Sequence, residues 1–150
     1  MMKTQTHHTE AGAAFTDLVL EIFRLNGVLL AAGDRLTAPL DLTSARWQVL
    51  GTLGSGPLPV PHIARQMGLT RQAVQRTVNI LEGEGFVTLG DNPHHKTAKL
   101  VSLSETGNEK LMQVSQAQAL WANEVTKDAG LEAITTALET LRLLRQYVEK

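Results

Sequence analysis

Val60-Pro61-His62-Ile63-Ala64-Arg65-Gln66-Met67-Gly68-Leu69-Thr70-Arg71-Gln72-Ala73-Val74-Gln75-Arg76 is the stretch that decides the fold. One helix ends at its glycine and a second begins two residues later, the pattern of a helix-turn-helix. A tight glycine turn lets two short helices pack at a steep angle. The second then projects a row of side chains outward at the depth of a DNA major groove.

The local chemistry supports each boundary. Pro59 or Pro61 opens the first short helix, where a missing N–H has no helical partner to lose. Gly68 stops it, and Thr70 caps the next. In the second helix Val74, Thr77, Val78 and Leu81 recur at the three and four spacing of a core face, leaving Arg71, Gln72, Gln75, Arg76 and Asn79 outside. Arginine pairs bidentately with guanine and glutamine with adenine, while Thr70 and the helix N-terminus suit a phosphate. The same residues also serve on any solvated helix face, so the helix alone leaves both readings open.

Downstream, Gly85 ends the helix and Phe86-Val87-Thr88-Leu89 reads as a strand. Gly90-Asp91-Asn92-Pro93 is turn chemistry, and Lys99-Leu100-Val101-Ser102-Leu103 reads as the return strand. The hairpin tip holds His94, His95 and Lys96 with no acid after Asp91. A basic hairpin beside an outward-facing helix is a wing, which lies along phosphates or enters a minor groove. Upstream, Thr43 or Ser44 caps a helix through Trp47, Val49, Leu50 and Leu53, ended by Gly54-Ser55-Gly56-Pro57.

Long helices flank this centre. From Ala11 to about Arg35, Phe15, Leu18, Val19, Ile22, Leu25, Asn26, Leu29 and Leu30 mark one face, and Leu20, Phe23, Gly27, Val28 and Ala31 add apolar surface elsewhere. A helix apolar on two sides must bury both, and a partner subunit is the simplest cover for the second. Ser104 caps a further helix with Glu105 in its first turn and Leu111, Val114, Trp121 and Val125 on its buried face. Gly130 breaks it. Leu131, Ile134, Leu138, Leu141, Leu144 and Val148 then mark a last amphipathic helix, too short for a free-standing coiled coil and expected to pack on another subunit.

Composition narrows the function classes. The chain has 150 residues, 43% hydrophobic and 19% charged, and so is globular without metal or disulfide support. It has no cysteine, which excludes disulfide scaffolds, thiolate zinc sites and thiol redox sensing. The formal charge of −1 hides an uneven distribution. Between Ser44 and Leu100, Arg46, Arg65, Arg71, Arg76, Lys96 and Lys99 face only Glu82, Glu84 and Asp91, so the centre is basic and the flanks acidic. The first ten residues lack the apolar run of a secretory signal, and no segment approaches about 18 unbroken apolar residues, so a cytoplasmic location and no membrane partner are expected. With no glycine-rich phosphate loop and no Ser, His and acid set at a known spacing, enzyme chemistry is not expected. No metal or cofactor is expected either, because His62, His94 and His95 are too scattered for one closed site.

Leu42-Thr43-Ser44-Ala45-Arg46-Trp47-Gln48-Val49-Leu50, the helix-turn-helix, Leu81-Glu82-Gly83-Glu84-Gly85-Phe86-Val87 and Leu100-Val101-Ser102-Leu103-Ser104-Glu105-Thr106-Gly107 together resemble the multiple-antibiotic-resistance regulator (MarR) family. The resemblance runs without gaps through the centre, and the flanking helix lengths agree. It implies a mainly α fold with a small β-hairpin wing: one domain over residues 1–150, with dimerisation helices at 11–36 and 105–149 and a winged helix-turn-helix lobe at 42–104. It further implies an obligate homodimer, joined through its first and last helices, on a pseudo-palindromic double-stranded operator, acting as a transcription repressor. A small aromatic or phenolic effector then weakens DNA binding from between the dimerisation helices and the lobe. The wing departs from the pattern. Members carry an Asp-Arg-Arg triplet at its tip, where this chain has His95-Lys96-Thr97, so phosphate or minor-groove contact falls on His94, His95, Lys96 and Lys99.

The expected DNA contacts are therefore Thr70, Arg71, Gln72, Gln75, Arg76, His94, His95, Lys96 and Lys99. Trp47 either packs in the core or lines an effector crevice in which Arg46 meets a carboxylate. The alternative to a DNA-binding regulator is an adaptor whose winged fold binds protein with little DNA affinity, since a fold alone does not establish a function.

Overall fold

The computed structural model describes residues 6–95 and 97–150. It divides into two compact units, the first ending at Leu111 and the second running from Met112 to Lys150.

The first unit opens with α1, Glu10–Thr37, whose N-terminus is capped by Thr9 Oγ1 accepting from the Gly12 amide at 3.0 Å. A short 3-10 turn, Ala38–Leu40, leads to α2, Ser44–Thr52. Thr43, not Ser44, caps α2, accepting from the Arg46 amide at 3.3 Å. Ser44 is instead one side of a polar joint between α1 and α2. Its Oγ donates to the Leu30 carbonyl at 2.6 Å, and its amide donates to Asp34 Oδ1 at 2.8 Å. Thr37, fully buried, donates to the carbonyls of Gly33 at 2.7 Å and Leu42 at 3.1 Å. Gly33 lies under Ser44 so closely that an added Cβ would run into the Ser44 hydroxyl.

A two-residue strand, β1 at Leu58–Pro59, precedes α3, Val60–Met67. Pro59 stands just before the helix and Pro61 falls in its first turn, so both prolines sit where no helical N–H is lost. Gly68 ends α3 in the left-handed conformation, φ 66° and ψ 32°, which costs a side-chain-free residue nothing. Then comes α4, Arg71–Gly83, capped by Thr70 Oγ1 on the Ala73 amide at 3.1 Å. Strands β2, Val87–Gly90, and β3, Leu100–Leu103, form an antiparallel hairpin in which Val87 faces Leu103 and Gly90 faces Leu100. The expected strand ends shift by one residue, because Gly90 pairs within the ladder rather than turning. The sheet order is β1-β3-β2.

Strand β1 was not expected. Its pairing of Leu58 with Val101 and Pro59 with Leu100 adds a third strand at the hairpin's free side. Pro59 is tolerated because it lies on an edge, where a missing N–H breaks no ladder bond. The core beneath the sheet is Leu42, Val49, Leu50, Leu53, Ile63, Ala64, Val74, Val78, Leu81, Val87 and Val101, all buried. Thr77, expected on the core face, is half-buried and turns its hydroxyl back to the Ala73 carbonyl.

Helix α5, Glu105–Val125, starts at Ser104, whose Oγ accepts from the Gly107 amide at 3.0 Å and donates to the Gly85 carbonyl at 2.6 Å. In the second unit Val114 is buried and Trp121 half-buried, whereas Val125, expected on the same face, is 59% exposed near the helix end. Gly130, at φ 77°, stands before α6, Leu131–Val148. Among the described residues no helix is long and apolar enough to cross a membrane.

Candidate nucleic-acid interface

The outward face of α4 is assembled by its own periodicity. Val74, Val78 and Leu81 are fully buried, so Arg71, Gln72, Gln75, Arg76 and Asn79 are carried to the opposite side, where all five are exposed. Thr70 ties up the Ala73 amide, and the Thr70 carbonyl receives the Val74 amide at 3.1 Å. The amides of Arg71 and Gln72 lie in the first turn, whose N–H groups have no helical acceptor, at the positive end of the helix dipole. That is a phosphate-compatible end beside side chains suited to base edges.

The hairpin completes the face. Arg71, Gln72 and Gln75 from α4 share a groove of about 450 Å³ with Leu89, Thr97 and Lys99 from the wing and with Val60 and Pro61 at the start of α3. Among the described residues Arg71, Arg76 and Lys99 enter no ion pair, so their charge is available to an incoming anion. Among the described residues the one ion pair touching this lobe joins Arg46 to Glu84, N to O 3.0 Å, which ties the start of α2 to the end of α4. Gln75 carries a further contact, from its Nε2 to Asn79 Oδ1 at 2.9 Å.

At the wing tip, His94 and His95 are exposed. The His94 amide donates to Asn92 Oδ1 at 3.0 Å, a turn closed by an asparagine side chain. The His95 ring Nδ1 accepts from the Thr97 amide at 3.4 Å and lies 3.0 Å from Thr97 Oγ1. Lys96 lies outside the described residues. The structure thus groups Arg71, Gln72, Gln75 and Lys99 in one groove, sets Arg76 on the same helix and Thr70 at its cap, and holds His94 and His95 on the hairpin turn.

The two residues expected at an effector crevice separate. Trp47 borders a shallow hollow of about 390 Å³ between α2 and α3, with Gln48, Gln66 and Met67. Arg46 does not line it, its guanidinium being held at Glu84. Sequence reasoning missed the wing side of the groove, Leu89, Thr97 and Ala98, since these carry no charge or motif. It also left the Gln75 to Asn79 contact unread, although a spacing of four with two amides is a signal for it.

A sequence model of the MarR family matches residues 40–96, which covers the lobe from the turn after α1 to the wing tip. An uncharacterized protein of Mycobacterium tuberculosis is 34% identical over 125 residues, spanning 83% of this chain and 87% of that protein. The crystal structure of the transcriptional regulator BldR from Sulfolobus solfataricus matches with a TM-score of 0.82 at 17% identity, covering 93% of this chain and 99% of that one. CouR from Rhodococcus jostii RHA1, solved bound to p-coumaroyl-CoA, matches with a TM-score of 0.77 at 19% identity, covering 85% and 91%. With the winged lobe, the outward α4 face and this similarity together, the chain belongs to the MarR family of DNA-binding transcriptional regulators.

Proposed function

We propose that this regulator is a homodimer that represses transcription from a pseudo-palindromic operator, reading bases with Gln72, Gln75 and Arg76. Thr70, Arg71 and Lys99, together with the wing tip of His94, His95 and Lys96, hold the phosphates. The observation that carries the reading is the groove in which Arg71, Gln72 and Gln75 face Lys99 across from α4 to the wing. It sets hydrogen-bonding side chains beside unpaired positive charge, the combination that separates base readout from backbone grip. Two copies follow from the apolar faces that α1 and α6 each leave exposed. Release by a small aromatic or phenolic effector is the matching control, with Trp47 at its site; CouR, of the same fold, was solved with an aromatic acyl-CoA.

A gel shift of the protein against the promoter upstream of its own gene tests this, with salt and competitor DNA varied. A discrete complex that survives excess random DNA is expected. Absence of any shifted complex, even at low salt, favours the adaptor instead. Trp fluorescence titrated with phenolic carboxylates, followed by the same gel shift, tests the effector.

A further inference from the structure

Asn79 stands one turn along α4 from Gln75, on the same exposed face, and accepts from the Gln75 Nε2 at 2.9 Å. A primary amide carries two N–H donors and one carbonyl acceptor. Bidentate pairing with adenine uses the carbonyl, which accepts from N6, and one N–H, which donates to N7. The N–H used is the one on the carbonyl's own side, because both must point at the same base edge. The second N–H lies on the far side of the nitrogen and has no place in the pair. An acceptor one helical turn away satisfies it without withdrawing Gln75 from the groove it shares with Arg71, Gln72 and Lys99. Reversing the Gln75 amide alone would set its carbonyl against that of Asn79.

We propose that Asn79 is a positioning residue: it holds the Gln75 amide with its carbonyl and one N–H turned to the base edge, and so sets adenine as the base preferred opposite Gln75. This rests on the reading of α4 as the element that reads bases, and it adds to that reading a base identity and a residue acting through another. A glutamine free to rotate would surrender more side-chain freedom on binding and would choose less sharply between bases.

The test is binding selection from a randomised duplex library, sequenced after enrichment, for the full-length protein, N79A, N79D, Q75A and the double variant N79A/Q75A, with melting curves confirming that each folds. The unsubstituted protein should enrich a motif with adenine at one position per half-site, and Q75A should lose that preference. N79A should weaken the same preference by at least about two-fold, as an i,i+4 amide pair allows, and leave other positions unchanged. N79D keeps the acceptor, so it should keep the adenine while lowering affinity for all sequences through its charge. In the Q75A background, removing Asn79 should change nothing at that position. The proposal is overturned if N79A matches the unsubstituted protein, if N79D loses the adenine as N79A does, or if the base lost in Q75A is not adenine. It is also overturned if the effect of N79A persists in full without Gln75, since Asn79 would then meet DNA itself. A protein that enriches no motif at all removes the DNA-reading assignment, and this proposal with it.

Discussion

Arg76 and Lys99 carry the same charge into different parts of the face, Arg76 from the middle of α4 and Lys99 from the base of the wing. Arg76→Ala should cost about 1–3 kcal/mol on the specific operator and little on random DNA, as loss of a base contact does. Lys99→Ala should weaken both alike and flatten the salt dependence by about one unit of slope, which anisotropy titrations at several salt concentrations would separate. If Arg76→Ala weakens all sequences equally, Arg76 grips phosphate. The two wing-tip histidines are not equivalent: His95 Nδ1 accepts from the Thr97 amide, whereas among the described residues the His94 ring has no such partner. At this scale the sequence was most legible where a contact is local: Thr70 and Ser104 cap as their spacing says, while the Arg46 to Glu84 pair, 38 residues apart, has no local signal.

Between elements, the joint of α1 and α2 joins the long first helix to the winged lobe through hydrogen bonds from Ser44 and Thr37, with Gly33 packed beneath. Both hydroxyl residues are buried, and both have partners, so the joint is specific rather than merely adhesive. Gly33→Ala should destabilise by about 1–3 kcal/mol, the usual effect of forcing a methyl into a packed site, despite the better helix propensity of alanine. Removing the obstructing hydroxyl should return part of that loss. The double variant Gly33→Ala with Ser44→Ala is thus expected to be less destabilised than the two single effects added, and urea melts of all four proteins would measure the coupling. Additive losses would mean that the helices move apart instead of meeting. The helices themselves were readable from period and caps, with ends within about two residues. The joint was not, because it depends on the distance between two helices, and Ser44 read only as a second candidate cap. Strand β1 escaped for a related reason: two residues, one of them proline, have no alternation to detect, and only β3 makes them a strand.

For the molecule as a whole the unfinished surface is apolar. Along α1, Leu20, Phe23, Leu25, Val28 and Leu29 are exposed, with Phe23 at 68%, and along α6 Leu131, Ile134, Leu138, Leu141 and Val148 are exposed. The two-sided apolar pattern of the first helix was visible in the sequence, since periodicity reports how much of a helix must be covered. What would cover it cannot be read from that periodicity. A second copy is the proposed cover, and a dimer of 16.3 kDa chains holding three to five phosphates per subunit should show a log-log salt slope on its operator of about −5 to −9. Leu138→Glu is the sharper test. In an isolated chain Leu138 is already 44% exposed, so a charge there would barely change the stability of α6. In a dimer the same position would exchange burial of its remaining exposed surface, about 0.7–1.3 kcal/mol, for a desolvated carboxylate, and two-fold symmetry would repeat the loss in each subunit. Sedimentation should therefore show the Leu138→Glu protein dissociating at concentrations where the unsubstituted protein is a dimer. Operator affinity should fall in step, because a monomer occupies one half-site and loses the linked second contact. A Leu138→Glu protein that still sediments as the dimer would place the α6 face in solvent and leave α1 to supply the interface.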